Sequence, residues 1–341
     1  MTLRLRLGLC CQFLDSPIRF RTATHRYVST LSRAARRTYL AAIAADNAAA
    51  LAAAVERCAE LGIGAFRINS QMLPLGTHPV SGYSVDDLDK NGAIRAAFER
   101  ARELACARGI RLSFHPDQFV VLNSVREDVV RSSAQELEFQ AGMAEMVGAD
   151  TVVFHGGSVA GGVAAAVERL EQGLERLSGR ARGVVALEND DHRFTPTDLL
   201  PLCRRVGVPL IYDAHHHRCH PDGLSAEEAT DLAAATWGAR EPYMHLSSPR
   251  EGWGAGNPRP HADFIDVEDF PRSWLGRRMT VDIEAKQKER AVLRLIEDLR
   301  VLSSVSEAGR APSPSPSRTS RRRPAPHEPR SDSGRRPGSR R

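Results

Sequence analysis

Eight short apolar runs recur between residues 3 and 283, and most are followed by a loop and an amphipathic stretch. The runs are LRLRLGLC (3–10), GAFRI (64–68), IRLSF (110–114), TVVF (151–154), GVVAL (183–187), PLIYD (209–213), YMHL (243–246) and MTVDI (279–283). They are too short for helices and have the length of buried strands. Between them lie NAAALAAAVERCAEL (47–61), GAIRAAFERARELACARG (92–109), DVVRSSAQELEFQAGMAEMVG (128–148) and AEEATDLAAATWG (226–238), with apolar residues spaced by three and four. That spacing is one face of a helix. The segment after the seventh run, PREGWGAGNPRPHADF, is rich in Gly and Pro and carries no clear helix. Strands alternating with helices build parallel sheets, and eight such units predict a closed (β/α)₈ TIM barrel. A doubly wound open sheet is the runner-up. No G-x-G-x-x-G follows the first run, which argues weakly against a dinucleotide fold.

The charge is unevenly distributed. Of the net +5, residues 304–341 carry +7, from ten arginines against Glu307, Glu328 and Asp332, so residues 1–303 carry −2. The division predicts a barrel domain over 1–303 and a disordered basic tail over 304–341, whose Arg, Ser, Pro and Gly cannot bury enough apolar surface to order it. Such a tail can hold nucleic acid loosely, or merely keep the chain soluble. There is no uninterrupted apolar run of about 18 residues, so no membrane span is expected. Cys10, Cys11, Cys58, Cys106, Cys203 and Cys219 form no C-x-x-C pair, which suits reduced thiols and a cytoplasmic setting.

The strand ends carry metal-type side chains. His78 follows the second run, His115 and His155 end the third and fourth, Glu188 ends the fifth, and Asp213 ends the sixth with His216 three residues on. His245 lies in the seventh, His261 in the loop after it, and Glu284 ends the eighth. In a barrel the C-terminal strand ends converge on one face, where active sites are built. Any single strand-end histidine is more often structural, but nine residues on one face are hard to ascribe to chance. Nine donors exceed one tetrahedral zinc and suit two or three divalent ions, Mn or Zn better than Mg. Glu188 and Glu284 are the natural bridging ligands, and with His245 they are the expected catalytic residues. Consecutive residues cannot all point inward, so His215, His217 and His220 are expected to be supporting or solvated. His25, His192 and His327 are given no role. Gly156 and Gly157 either admit a substrate backbone or make an ordinary turn.

Clustered divalent ions suit phosphodiester hydrolysis and also sugar isomerisation. The stretch FHPDQFVVLNS (114–124) places Gln118 and Phe119 on the loop after His115. Such a pair could wedge into a duplex and fill the space left by extruded bases, or it could simply pack the barrel rim.

Taken together, FRINSQMLPLGTHP, FHPDQFVVLNS, HGG, ENDD, YDAHHH, HLSSPREGW, HADFID and EAKQKE resemble the UV damage endonuclease family, in the family's order and over residues 3 to about 300. The resemblance implies a TIM barrel similar to endonuclease IV and a divalent-metal cluster, often manganese. It implies ATP-independent nicking on the 5′ side of UV photoproducts in double-stranded DNA, leaving a 3′-hydroxyl. Pyrimidine dimers are the first lesion class implied, and abasic sites the second. By motif, His78, His115, His155, Glu188, Asp213, His216, His245, His261 and Glu284 correspond to metal ligands, and Gln118 and Phe119 to the pair that probes the lesion. Two departures stand out. Some members carry a carboxylated lysine two residues before the strand-seven histidine, where this chain has Tyr243. Some carry Tyr and Asn facing the substrate where this chain has Leu9 and Phe13. Arg67, Arg126 and Arg250 are expected on loops facing DNA phosphates, and a monomer is expected. A sugar isomerase or epimerase on the same barrel, and a damage-binding protein without catalysis, are the alternatives.

Overall fold

The computed structural model describes residues 5–308, with side chains to residue 302. Eight strands form a closed barrel in the order β1 to β8. They are β1 (Arg6–Cys10), β2 (Ala65–Ile68), β3 (Arg111–Phe114), β4 (Thr151–His155), β5 (Val185–Glu188), β6 (Leu210–Asp213), β7 (Tyr243–Leu246) and β8 (Thr280–Ile283). Each strand is parallel to the next, and β1 closes on β8 through Arg6–Thr280 to Leu9–Ile283. All eight apolar runs are thus strands, and the closed barrel, rather than an open sheet, is the fold.

The helices between them bury one apolar face against the barrel. Helix Ala93–Arg108 buries Ile94, Phe98, Ala101 and Ala105, at spacings of three and four. Helix Glu127–Val147 ends at Gly148 with φ 73°, a left-handed cap that returns the chain to β4. The first long helix spans Arg33–Leu61, starting fourteen residues before the expected 47. Ser32 caps its N-terminus by accepting from the Ala35 amide. Its length and composition would let it cross a membrane. Here Leu40, Ile43, Leu51 and Val55 pack into the core, and buried Asn47 ties it to the Met72 carbonyl at 2.7 Å. No α-helix joins β7 to β8; two 3₁₀ turns, Val267–Asp269 and Arg272–Trp274, stand there.

The last helix runs Lys288–Ala308, so the expected domain boundary at 303 falls inside a helix. Its capacity to continue the β8 unit outweighs the composition change that set the boundary. The tail from residue 309, with His327, lies outside the described residues. All six cysteines are free thiols.

Leu9 and Phe13 are buried, Phe13 stacked on Phe66 with centroids 5.8 Å apart. Neither can touch a substrate. Gly156 and Gly157 are required by the protein's own packing. A Cβ on Gly156 would lie 2.6 Å from Phe194, and one on Gly157, at φ 87°, 2.6 Å from Asn123 Oδ1. Gly8 on β1 is another tight approach, since its Cβ would collide with Asp282 Oδ1 inside the barrel. Overpacking of this kind costs about 1–3 kcal/mol. The variant Gly8→Ala should therefore lower the unfolding free energy by about 1–3 kcal/mol, read as a lower denaturant midpoint; an unchanged midpoint in a chemical melt would show that the interior yields at no cost.

Candidate metal centre

Glu188 ends β5 and is 1% exposed. Imidazoles from four other elements surround its carboxylate. His115 Nε2 lies 3.0 Å from Oε2 and His155 Nε2 3.9 Å from the same atom. His245 Nδ1 lies 3.1 Å and His216 Nδ1 3.3 Å from Oε1. Asp213 Oδ2 is 3.6 Å from His216 Nδ1. A second, smaller group surrounds Glu284. Its Oε1 lies 3.5 Å from His245 Nδ1, and its Oε2 lies 3.6 Å from His261 Nδ1. His245 thus joins the two groups. Eight of the nine expected ligands are brought together.

His78 is the ninth and stands apart. Its ring stacks on His25 with centroids 4.2 Å apart, and its Nδ1 accepts from the amides of Val80 and Ser81. Among the described residues no carboxylate pairs with it. The long loop after β2 carries it away from the strand ends, which spacing in the sequence could not register.

Local backbone chemistry places the ligands. The pair Asn189–Asp213 is fixed twice: the Asp213 amide donates to Asn189 Oδ1 at 2.9 Å, and Asn189 Nδ2 donates to the Asp213 carbonyl at 3.0 Å. Asp213 then caps the short helix Ala214–Cys219 by accepting from the His216 amide at 2.7 Å. One turn of helix therefore turns His216 toward Glu188. It also buries His215 and His217, so neither is solvated. His217 is structural, held between Tyr212 Oη at 3.0 Å and Asp222 Oδ1 at 2.8 Å. His215 packs against Trp253 and His261.

The donor set fits metal ions. His115, His155 and Glu188 offer donor atoms all within 4.8 Å of one another, as do Glu188, Asp213 and His216. Glu188 belongs to both sets, as a bridging carboxylate would. Among the described residues, buried Asp213 Oδ2 and both ring nitrogens of His245 lack a hydrogen-bond partner, a costly state unless another electropositive or polar group satisfies them.

Electrostatics within the site are strongly coupled. Burial alone would raise the Glu188 carboxyl, yet His245, His155, His115 and His216 hold it well below its ordinary range. Burial alone would lower His245, but Glu188 and Glu284 raise it to about 9. Asp213 and Glu188 likewise raise His216 well above its ordinary value against burial. Burial dominates at His155 and pushes it down, toward the neutral ligand form.

Two residues enter the centre in roles that the sequence did not indicate. Arg67 lies on β2 rather than a loop, and its Nη1 is 2.5 Å from Glu284 Oε1, so it serves the site and not the DNA surface. Asp282 lies inside the barrel with Tyr243 Oη donating to its Oδ1 at 2.9 Å. Alternation back from Glu284 along β8 would have pointed to it. Tyr243 is fully buried and cannot reach solvent. Gln118 and Phe119 occupy the loop after β3; both are exposed, Phe119 to 79%. Gln118 lines a cavity of about 210 Å³ together with His155, His216, Asp191 and Arg193. Arg126 and Arg250 are exposed, each paired with an acid beside it, Asp128 and Glu251.

The sequence profile described as UV-endonuclease UvdE matches residues 5–312. The chain belongs to this family. A UV DNA damage endonuclease of Deinococcus radiodurans is 32% identical over 306 residues, covering 85% of this chain and 94% of that protein. The crystal structure of SacUVDE superposes with a TM-score of 0.77 at 29% identity, over 88% of this chain and 99% of that one. Endonuclease IV from Thermus thermophilus superposes at 0.56 with 19% identity, over 89% and 99%, and shares the barrel fold.

The raised His245 gives a pH signature for the metal-free protein. Its proton is favoured in the folded state, so the stabilisation is full below its ordinary value of 6.5 and is lost as pH rises toward about 9. Melting temperature in chelator should fall across that window, while metal binding, which displaces the proton, should strengthen. A chelator melt that stays flat from pH 6.5 to about 9 would contradict the assignment.

Proposed function

We propose that this chain is a metal-dependent DNA endonuclease that cuts the strand on the 5′ side of UV photoproducts in double-stranded DNA, without ATP. Family membership supports the coarser part, an endonuclease of UV damage repair. The observation that carries the finer part is the shared Glu188, one buried carboxylate common to two sets of metal donors beside an exposed aromatic loop.

Two or three divalent ions, manganese foremost, would supply positive charge for the scissile phosphate and acidify the attacking water. His115, His155, Asp213, His216 and Glu188 would hold them on one side, and His245, His261 and Glu284 on the other. His78 would join only if its loop closes over the centre. Phe119 stands clear of the surface, so its ring can enter a base stack while Gln118 follows it. The damaged nucleotides leave the stack toward the cavity beside Gln118 and His155. Arg126 and Arg250 remain the phosphate contacts outside the centre. The protein acts as a monomer on chromosomal DNA, in the cytoplasm, with the basic tail adding contacts that carry no sequence information. A sugar isomerase would leave the exposed Phe119 without a task.

The test is nicking of irradiated and unirradiated supercoiled plasmid, with Mn²⁺ and with chelator. Nicks should require both irradiation and metal. Glu188→Gln and Glu284→Gln should each slow nicking by on the order of 100-fold, about 2.7 kcal/mol in the barrier. Turnover at the parent rate by either variant would sink the proposal. The double change Gln118→Ala and Phe119→Ala should remove roughly tenfold of the preference for irradiated plasmid, since base stacking on an aromatic ring is worth about 1–3 kcal/mol. Retention of the full preference would return the loop to a packing role.

A further inference from the structure

His245 is fully buried, and its two ring nitrogens face different groups. Nδ1 faces the carboxylates, 3.1 Å from Glu188 Oε1 and 3.5 Å from Glu284 Oε1. Nε2 faces into the barrel, 3.9 Å from Asp282 Oδ2. Arg67 Nε lies 3.8 Å from that same oxygen. None of these three inner atoms, His245 Nε2, Asp282 Oδ2 and Arg67 Nε, has a hydrogen-bond partner among the described residues. Three buried polar atoms turned to one point, two of them able to donate and one to accept, are complementary. Separations of this size are what one bridging water fills.

Asp282 is itself aimed. Tyr243 Oη donates to its Oδ1 at 2.9 Å, and Ser113 Oγ lies 3.0 Å from the same phenol oxygen. Arg111 sits over the Tyr243 ring, 4.6 Å from its centroid. Oδ1 is thus taken by the phenol, and Oδ2 is left on the side of the imidazole.

We propose that Asp282, aimed by Tyr243, is a positioning residue for His245: it takes the Nε2–H through one water shared with Arg67, and so leaves the Nδ1 lone pair facing the metal that Glu188 and Glu284 would hold. A carboxylate behind a ligating histidine fixes the ring and raises its basicity, and losing it typically costs about 10–100-fold in metal affinity or activity. The inference rests on the metal-centre reading above, but not on DNA cleavage.

The test is equilibrium binding of Mn²⁺ and Zn²⁺ to the full chain without DNA, by chelator competition. It is paired with the low-field ring N–H proton resonances of the Zn²⁺-loaded protein and with melting in chelator. Asp282→Asn should weaken the tightest ion roughly tenfold and Asp282→Ala by up to about 100-fold. Both should shift the His245 ring N–H resonance or expose it to solvent exchange. Tyr243→Phe should show a smaller loss in the same direction. If Asp282→Ala fails to fold, Asp282→Asn and Tyr243→Phe decide. Unchanged metal affinity and an unchanged resonance in Asp282→Asn would overturn the proposal. So would a lower melting temperature with unchanged affinity, because Asp282 would then only balance Arg67. A parent chain that binds no metal would overturn both this and the metal-centre reading. A parent that binds metal but leaves irradiated DNA intact would overturn the function alone.

Discussion

The C-terminal end of the barrel depends on a single buried carboxylate. Taking the charge of Glu188 out of water costs several kcal/mol unless opposite charge and hydrogen-bond donors meet it. Here the compensation comes from His115, His155, His216 and His245, which reach it from β3, β4, the turn after β6 and β7. No two of these elements are joined by fewer than one helix or turn of the barrel. Compensating Glu188 therefore requires β3 to β7 to stand side by side in the sheet. Glu284 repeats the arrangement at smaller scale, with Arg67 of β2 as its fixed cation. That pairing leaves the second carboxylate already half satisfied, so the two acids at the centre are not equivalent.

Much of this was legible in the sequence, for a physical reason. A barrel strand is buried on both faces, so it reads as a continuous apolar run, and β4, β6 and β7 fall where TVVF, PLIYD and YMHL stand. A ligand that ends a strand inherits its place from that strand, so Glu188, Asp213 and His155 could be located without coordinates. His78 could not, because a long loop after Ile68 intervenes and its path is set by Tyr83, Ser81 and His25. The first turns of helix Arg33–Leu61 were hidden by RAARR, whose charges mask the apolar face that begins at Leu40. The triple histidine misled in another way. The residues do differ in direction, yet His215 packs on Trp253 and His261 and His217 is held by Tyr212 and Asp222, so both are buried.

Asp282 lies within an apolar run that assigns it no role, and Tyr243 stands out in the sequence only as the residue in place of the lysine of some relatives. Both lie two residues from a ligand on their own strand, Glu284 for the first and His245 for the second, and a strand repeats every second residue. The layer beneath the ligands is therefore polar, with Ser113, Tyr243, Asp282 and Arg67 linked to one another. The phenol of Tyr243 answers the departure noted at that position: its hydroxyl supports a carboxylate contributed by the neighbouring strand.

The order of the ligands along the chain has a consequence for synthesis. His115 is made early and Glu284 only at the end of the barrel, and β8, which carries the chain to Glu284, is also the strand that closes on β1. A nascent chain that has emerged only as far as β7 owns most of the donors but neither the final acid nor a sealed sheet. It cannot assemble the complete centre until β8 has followed. The same spread of residues that makes the pairing non-local and slow to form keeps the cutting apparatus from existing in fragments.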